Sequence, residues 1–160
     1  MKNTQRSEME PTTHMTFRKF SNLLIGEWVG ERHGSVLEHE EVRSQWQIVL
    51  DGNYLMEHWH TAGNGGSVEH TAEAFFRVSD SGPGDFIAVY KSGKIAFGES
   101  TYKDSEWTLT HHWLREAGIA TIRIRFIDNN SYEQEVAEVT SDGTLIPESF
   151  VVMKRERAIP

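Results

Sequence analysis

Beginning near residue 27, the chain alternates apolar and polar side chains in one short segment after another, with only a few turn-forming residues between segments. Ten segments are predicted as strands: 27–33, 39–50, 53–62, 69–79, 85–92, 94–103, 106–115, 118–128, 131–140 and 145–155. The separators, among them Asp51-Gly52-Asn53, Asn64-Gly65-Gly66, Ser81-Gly82-Pro83-Gly84, Ser92-Gly93 and Asp142-Gly143, carry the residues that tight reversals need. Gaps this short admit hairpins and little else, so consecutive strands pair antiparallel. A meander of ten strands, with no second helix to cover a face, removes its edges most economically by closing on itself. The reading is all-β: a ten-stranded antiparallel up-and-down β-barrel with a short N-terminal capping helix.

That helix is predicted just upstream. Thr16 can cap it, Phe17, Phe20, Leu23 and Leu24 form one apolar stripe, and Gly26 supplies the stop. The stretch Leu23–Arg32 then hands the helix over to the first strand. Residues 1–15 read as a loose arm, with scattered charge and Pro11, and 16–157 as a single barrel domain. At 160 residues, such a domain buries roughly two-thirds of its unfolded surface.

Composition narrows the function classes. No cysteine is present, which excludes disulfides, thiolate metal sites and thiol catalysis and favours a reducing, cytoplasmic setting. The arm lacks the apolar core of a secretory signal, and no apolar run reaches the ~20 residues that span a bilayer. A formal net charge of −8 with dispersed basic residues speaks against nucleic acid, whose phosphates call for a basic surface. The Lys154–Arg157 cluster, interrupted by Glu156, reads as a solvated terminus.

Period-two alternation proposes which side chains face inward. In 42–50, Val42, Ser44, Trp46, Ile48 and Leu50 oppose Arg43, Gln45 and Gln47. Ala72, Ala74, Phe76 and Val78 share a face, as do Trp107, Leu109, His111 and Trp113. In 85–92, Phe86, Ala88 and Tyr90 lie opposite an equally apolar Ile87 and Val89, which would suit a contact between two copies of the chain. Strand 53–62 stays open: Tyr54, Met56, His58 and His60 alternate with Leu55, Glu57, Trp59 and Thr61, so either face puts an ionisable group inside.

Three stretches, beyond the Gly26-Glu27-Trp28 at the helix-to-strand junction, carry a resemblance: Gly52-Asn53-Tyr54-Leu55, Glu73-Ala74-Phe75-Phe76-Arg77-Val78 and Gly98-Glu99-Ser100-Thr101-Tyr102. In order and spacing they resemble nitrobindin-like domains of the calycin barrels, a group that includes lipocalin- and fatty-acid-binding-protein-like barrels, and an uncharacterised bacterial domain family related to them. The resemblance covers residues 20–155. It implies a barrel with the Trp28 indole across its closed end. Nitrobindin-like domains bind haem through a histidine near the start of the last strand. Here that neighbourhood holds Pro147 and Glu148, and a carboxylate is a poor axial ligand where imidazole is expected. Shape transfers with the resemblance, and haem binding does not.

A barrel this wide is expected to hold a small molecule. The candidate walls are Trp28, Trp46, Phe76, Tyr90, Phe97 and Trp113, and the candidate polar groups are Glu57, His58, His60, Glu99, His111 and Arg123. The expected function is intracellular binding of an apolar or aromatic ligand in the lumen, with no cofactor, no nucleic acid and no membrane as partner and a homodimer as an option. An alternative is a cofactor-independent isomerase, cyclase or hydrolase, in which Glu57, Glu99, His58 or His111 moves a proton on the ligand. A third reading, a haem or metal protein, rests on His58-Trp59-His60 with His111 as a further imidazole and Glu57 or Glu99 as an oxygen donor. Arg123 and Arg125 read either as carboxylate anchors or as a solvated stripe, according to which face of 118–128 points inward.

Overall fold

The computed structural model of the chain describes residues 15–34, 40–62 and 70–157. Met15 is therefore the only described residue of the predicted arm, and the Asn64-Gly65-Gly66 turn lies outside the described residues. One helix, α1 (Phe17–Leu24), precedes ten strands: β1 (Gly26–Gly34), β2 (Glu40–Val49), β3 (Tyr54–Ala62), β4 (His70–Ser79), β5 (Gly82–Tyr90), β6 (Ile95–Lys103), β7 (Glu106–Trp113), β8 (Ile119–Asp128), β9 (Ser131–Val139) and β10 (Leu145–Arg155). Each strand pairs antiparallel with its neighbours, and β1 also pairs with β10, so the sheet is a closed barrel. The all-β, ten-stranded architecture expected from alternation and turn chemistry is the one observed.

Local chemistry explains the start. Thr16 caps α1, its hydroxyl accepting from the Lys19 N–H at 3.3 Å. The helix ends as Gly26 turns into β1 with φ of +131°, a conformation that costs glycine little. Its buried face is Phe17, Phe20, Ser21 and Leu24, with Ser21 in place of the expected Leu23; Ser21 is tolerated there because its hydroxyl donates to the Arg18 carbonyl at 2.9 Å.

The helix closes one end of the barrel. Phe17 and Phe20 pack against Tyr102, Trp107 and Phe126 at ring separations of 5.0–6.3 Å. Trp28 donates its indole N–H to the Leu24 carbonyl at 2.7 Å, and the Arg155 guanidinium lies 4.1 Å over the same indole while donating to the Leu23 and Ile25 carbonyls. The indole across the closed end, implied by the resemblance, is where it was expected.

β5 starts at Gly82, three residues before the predicted boundary. A bulge between Phe76 and Val78 shifts the β4–β5 register, so Pro83 and Gly82 still find partners in Val78 and Ser79. Elsewhere the strands approach so closely that only glycine fits: a Cβ on Gly98 would lie 1.7 Å from the Thr110 carbonyl oxygen. No helix among the described residues is long and apolar enough to cross a membrane.

Two substitutions test this account by urea unfolding. Phe20→Ala empties the centre of the helix cap and should cost about 3–5 kcal/mol. Gly98→Ala forces backbone against backbone and should cost about 3 kcal/mol or more, and a neutral result would mean that β6 and β7 are not in this register.

Candidate functional site

Closure decides every strand's inner face. On β3 the buried positions are Leu55, Glu57 and Thr61, with Trp59 beside them, so the face left open by the sequence resolves in favour of Glu57. His58 and His60 consequently stand on the outer wall, His58 3.7 Å from Glu73 and His60 3.3 Å from the Thr71 hydroxyl. Phe97 and Glu99 are exposed for the same reason of parity, because Ala96 and Gly98 take the inner positions of β6. Arg123 is outside as well, bonded to Glu135 at 2.7 Å, since Ile122, Ile124 and Phe126 face inward. The arginines of β8 are an ion-paired outer stripe rather than lumen anchors.

Seven of the twelve nominated residues remain inside, in two groups. Trp28, Trp46 and Phe76 belong to the packed floor: Trp46 and Phe76 sit 5.5 Å apart and Trp107 sits 4.9 Å from Phe76. These rings satisfy one another and leave no room between them. Glu57, Tyr90, His111 and Trp113 belong to the opposite half.

That half differs in kind. Trp59, Tyr90 and Trp113 point inward from a closed ring of strands and pack against the core, yet keep part of their surface accessible. Tyr90 and Trp113 are 5.1 Å apart, and Trp113 meets His111 edge-on at 4.7 Å. Across from them Arg32 forms an ion pair with the buried Glu40 at 3.4 Å and lies 5.3 Å over the Trp59 ring. Arg32 and Glu40 are functional candidates that the sequence reading missed. Their signal was available, since Arg32 alternates with the inward Trp28 and Gly30, and Glu40 with Val42 and Ser44.

Between floor and mouth lies Glu57. Its Oε1 accepts from the Ser44 hydroxyl at 2.7 Å, and Tyr132, whose own hydroxyl accepts from the Trp46 indole N–H at 3.3 Å, stands close enough to feel its charge. Burial raises the Glu57 carboxyl to about 7, the Ser44 hydrogen bond offsetting only part of that. Burial and the Glu57 charge also push Tyr90 up to about 12. His111 is lowered to about 4 by burial and by His112 beside it, so its imidazole is neutral at pH 7, and its Nε2 has no hydrogen-bond partner among the described residues.

The same geometry separates the histidines nominated for a metal. His58 and His60 lie outside the wall and His111 inside, so the three cannot share an ion; among the described residues no group of three or more His, Cys, Asp or Glu converges as a metal site requires. Glu148, in the neighbourhood of the missing haem histidine, is exposed.

No protein-family model matches the sequence, and no curated protein matches it. Solved structures do share its shape. An S-type phycobiliprotein lyase from Guillardia theta superposes with a TM-score of 0.62 at 15% identity, covering 93% of this chain and 100% of that one. Rv2717c from M. tuberculosis gives 0.56 at 17% identity over 84% of this chain and 94% of its own. At these identities the likeness establishes the closed antiparallel barrel fold and nothing of its chemistry.

Glu57 makes the stability of the protein depend on pH. Its folded-state pKa, about 7, lies above the 4.5 of the free group, so the folded chain keeps the proton longer than the unfolded one. The cost of ionising it is absent below about pH 4.5, grows as pH rises, and is complete above about 7. Glu57→Gln should therefore gain on the parent chain across that window, by up to about 3 kcal/mol, in urea unfolding at a series of pH values. Parallel pH profiles for the two chains would mean that Glu57 titrates normally.

Proposed function

We propose that the protein binds a small, largely apolar or aromatic molecule in the open half of the barrel, with a hydrogen-bonding group of that molecule directed at Glu57. The observation that carries this reading is the contrast between the two ends. At the floor, aromatic rings fill one another's space. Toward the mouth, Trp59, Tyr90 and Trp113 present partly accessible faces around a buried carboxylate. Apolar walls with a few convergent polar groups are what such a ligand needs. The likeness to a phycobiliprotein lyase supports the barrel as a scaffold and leaves the ligand open.

The charges favour a particular handle. Arg32 is already paired with Glu40, and Arg155 is spent on carbonyls at the floor, so a ligand carboxylate would meet Glu57 with no uncommitted arginine beside it among the described residues. A neutral N–H or O–H group is served better, since Glu57 can accept from it when ionised and donate to an oxygen when protonated.

Glu57 also favours a second reading, acid–base catalysis. A carboxyl poised near 7 exchanges a proton at neutral pH at little cost, and His111 offers an unpartnered nitrogen in the same half of the barrel. The two are distinguishable, because a binding protein returns its ligand unchanged.

Native mass spectrometry of freshly purified protein, followed by fluorescence titration with 1-naphthylamine and 1-naphthoate, tests the proposal. The amine should bind more tightly than the carboxylate, and Trp59→Ala and Glu57→Leu should each weaken it by about tenfold, equivalent to about 1.4 kcal/mol. Absence of any bound mass together with failure of both probes would overturn the binding reading.

A further inference from the structure

The hydrogen bonds behind Glu57 all run one way. Trp46 of β2 carries an indole N–H, a group that donates and does not accept. It donates to the Tyr132 hydroxyl of β9 at 3.3 Å. Tyr132 is fully buried, so its own O–H needs an acceptor inside the barrel. The other side chain hydrogen-bonded to that hydroxyl is Ser44. Ser44 in turn donates to Glu57 Oε1 at 2.7 Å. A serine hydroxyl has one proton, and this one is committed to Glu57, so Ser44 receives from Tyr132. The relay reads Trp46, Tyr132, Ser44, Glu57, each member donating to the next. Ring contacts pin its first two members, Trp46 5.5 Å from Phe76 and Tyr132 4.7 Å from Trp28.

This polarity decides where Glu57 carries a proton. A proton on Oε1 would meet the Ser44 O–H head-on, and Ser44 would have to turn its own proton toward Tyr132. The Tyr132 oxygen would then accept from both sides, leaving its O–H buried with no acceptor among the described residues. Trp46 offers no relief, since it only donates, and a buried orphan is expensive. Oε2 has no hydrogen-bond partner among the described residues and is under no such constraint. We infer that Glu57 holds its exchangeable proton on Oε2 alone, and that Ser44, Tyr132 and Trp46 are the positioning residues that keep it there.

The ionisable groups facing this carboxyl from other strands do not compete for the proton near pH 7. Burial, and then the Glu57 charge, raise both Tyr90 of β5, to about 12, and Tyr132 of β9. Arg32 of β1 and Glu40 of β2 are paired with each other, and His111 of β7 is lowered to about 4. The inward neighbours on β4 are Ala72 and Ala74. For the binding proposal, on which this last step rests, a single oxygen meets the ligand: ionised Glu57 accepts an N–H or O–H there, and protonated Glu57 donates there to a carbonyl.

Carboxyl 13C NMR of ligand-free protein labelled at glutamate follows the titration directly, with Glu57 assigned as the resonance missing from Glu57→Gln. Since no ligand is present, failure here leaves the binding reading standing, and failure of the naphthyl probes leaves the relay standing. Ser44→Ala removes the donor to Oε1 and should raise the Glu57 midpoint by about one pH unit or more, as loss of a hydrogen bond to a charged group does. Tyr132→Phe removes one oxygen, keeps the ring contacts and frees Ser44 to turn. It should raise the midpoint by a smaller amount, although Tyr132 makes no bond to Glu57. Adding Tyr132→Phe to Ser44→Ala should shift the midpoint no further, because the relay is already cut. Should Tyr132→Phe fail to fold, Ser44→Ala alone decides by the direction of its shift. A Ser44→Ala midpoint at or below that of the parent, a Tyr132→Phe midpoint equal to it, or two shifts that simply add would overturn the inference.

Discussion

The stacking of Arg155 on Trp28 ties together the parts of the chain on which everything else rests. The guanidinium comes from the end of β10, the indole from the start of β1, and the carbonyls that Arg155 reaches, of Leu23 and Ile25, from the exit of α1. Helix exit carbonyls have no partner within the helix, and a buried one left unsatisfied is expensive. Here they are satisfied by a cation that simultaneously covers an aromatic face, so the last strand, the first strand and the cap become one unit. Barrel closure is then the lower-energy arrangement, since an open β1 edge would expose its ladder groups and separate Arg155 from its acceptors.

Closure divides the interior. The helix end is filled by interlocked rings, whose offset and edge-on contacts leave little rotational freedom. The other end contains groups that a protein selected for stability alone would avoid: a carboxyl raised toward neutrality by burial, an unpartnered imidazole nitrogen and a half-buried arginine paired with a buried glutamate. Such groups lower the stability of a fold unless something binds them. Their concentration in one half, where inward-facing aromatics also remain accessible, is the ground on which the binding proposal stands.

Much of the fold was legible because strand period, turn residues and the helix cap are local properties. Thr16, Phe17, Phe20 and Leu24 behave as their spacing requires, and the strand boundaries shift mainly where a bulge intervenes. The candidate site was legible only in part. Glu57, Tyr90, His111 and Trp113 lie in the open half as nominated, whereas His58, His60, Phe97, Glu99 and Arg123 lie on the outer wall. Arg32 and Glu40 were passed over because a charged residue near a strand end reads as exposed until its partner across the sheet is known.

The sequence by itself determined the number of strands, their antiparallel order, the helix that precedes them and the alternation that gives each strand two unlike faces, all consequences of chemistry within a few residues. Only the tertiary structure decided which of two similar faces turns inward on β3, β5 and β8, which aromatics fill the barrel and which line its open half, and that Arg32 meets Glu40. The reason is that a strand's inner face is set by the parity of its pairing with distant strands, and a shift of one residue exchanges the faces without altering any local preference.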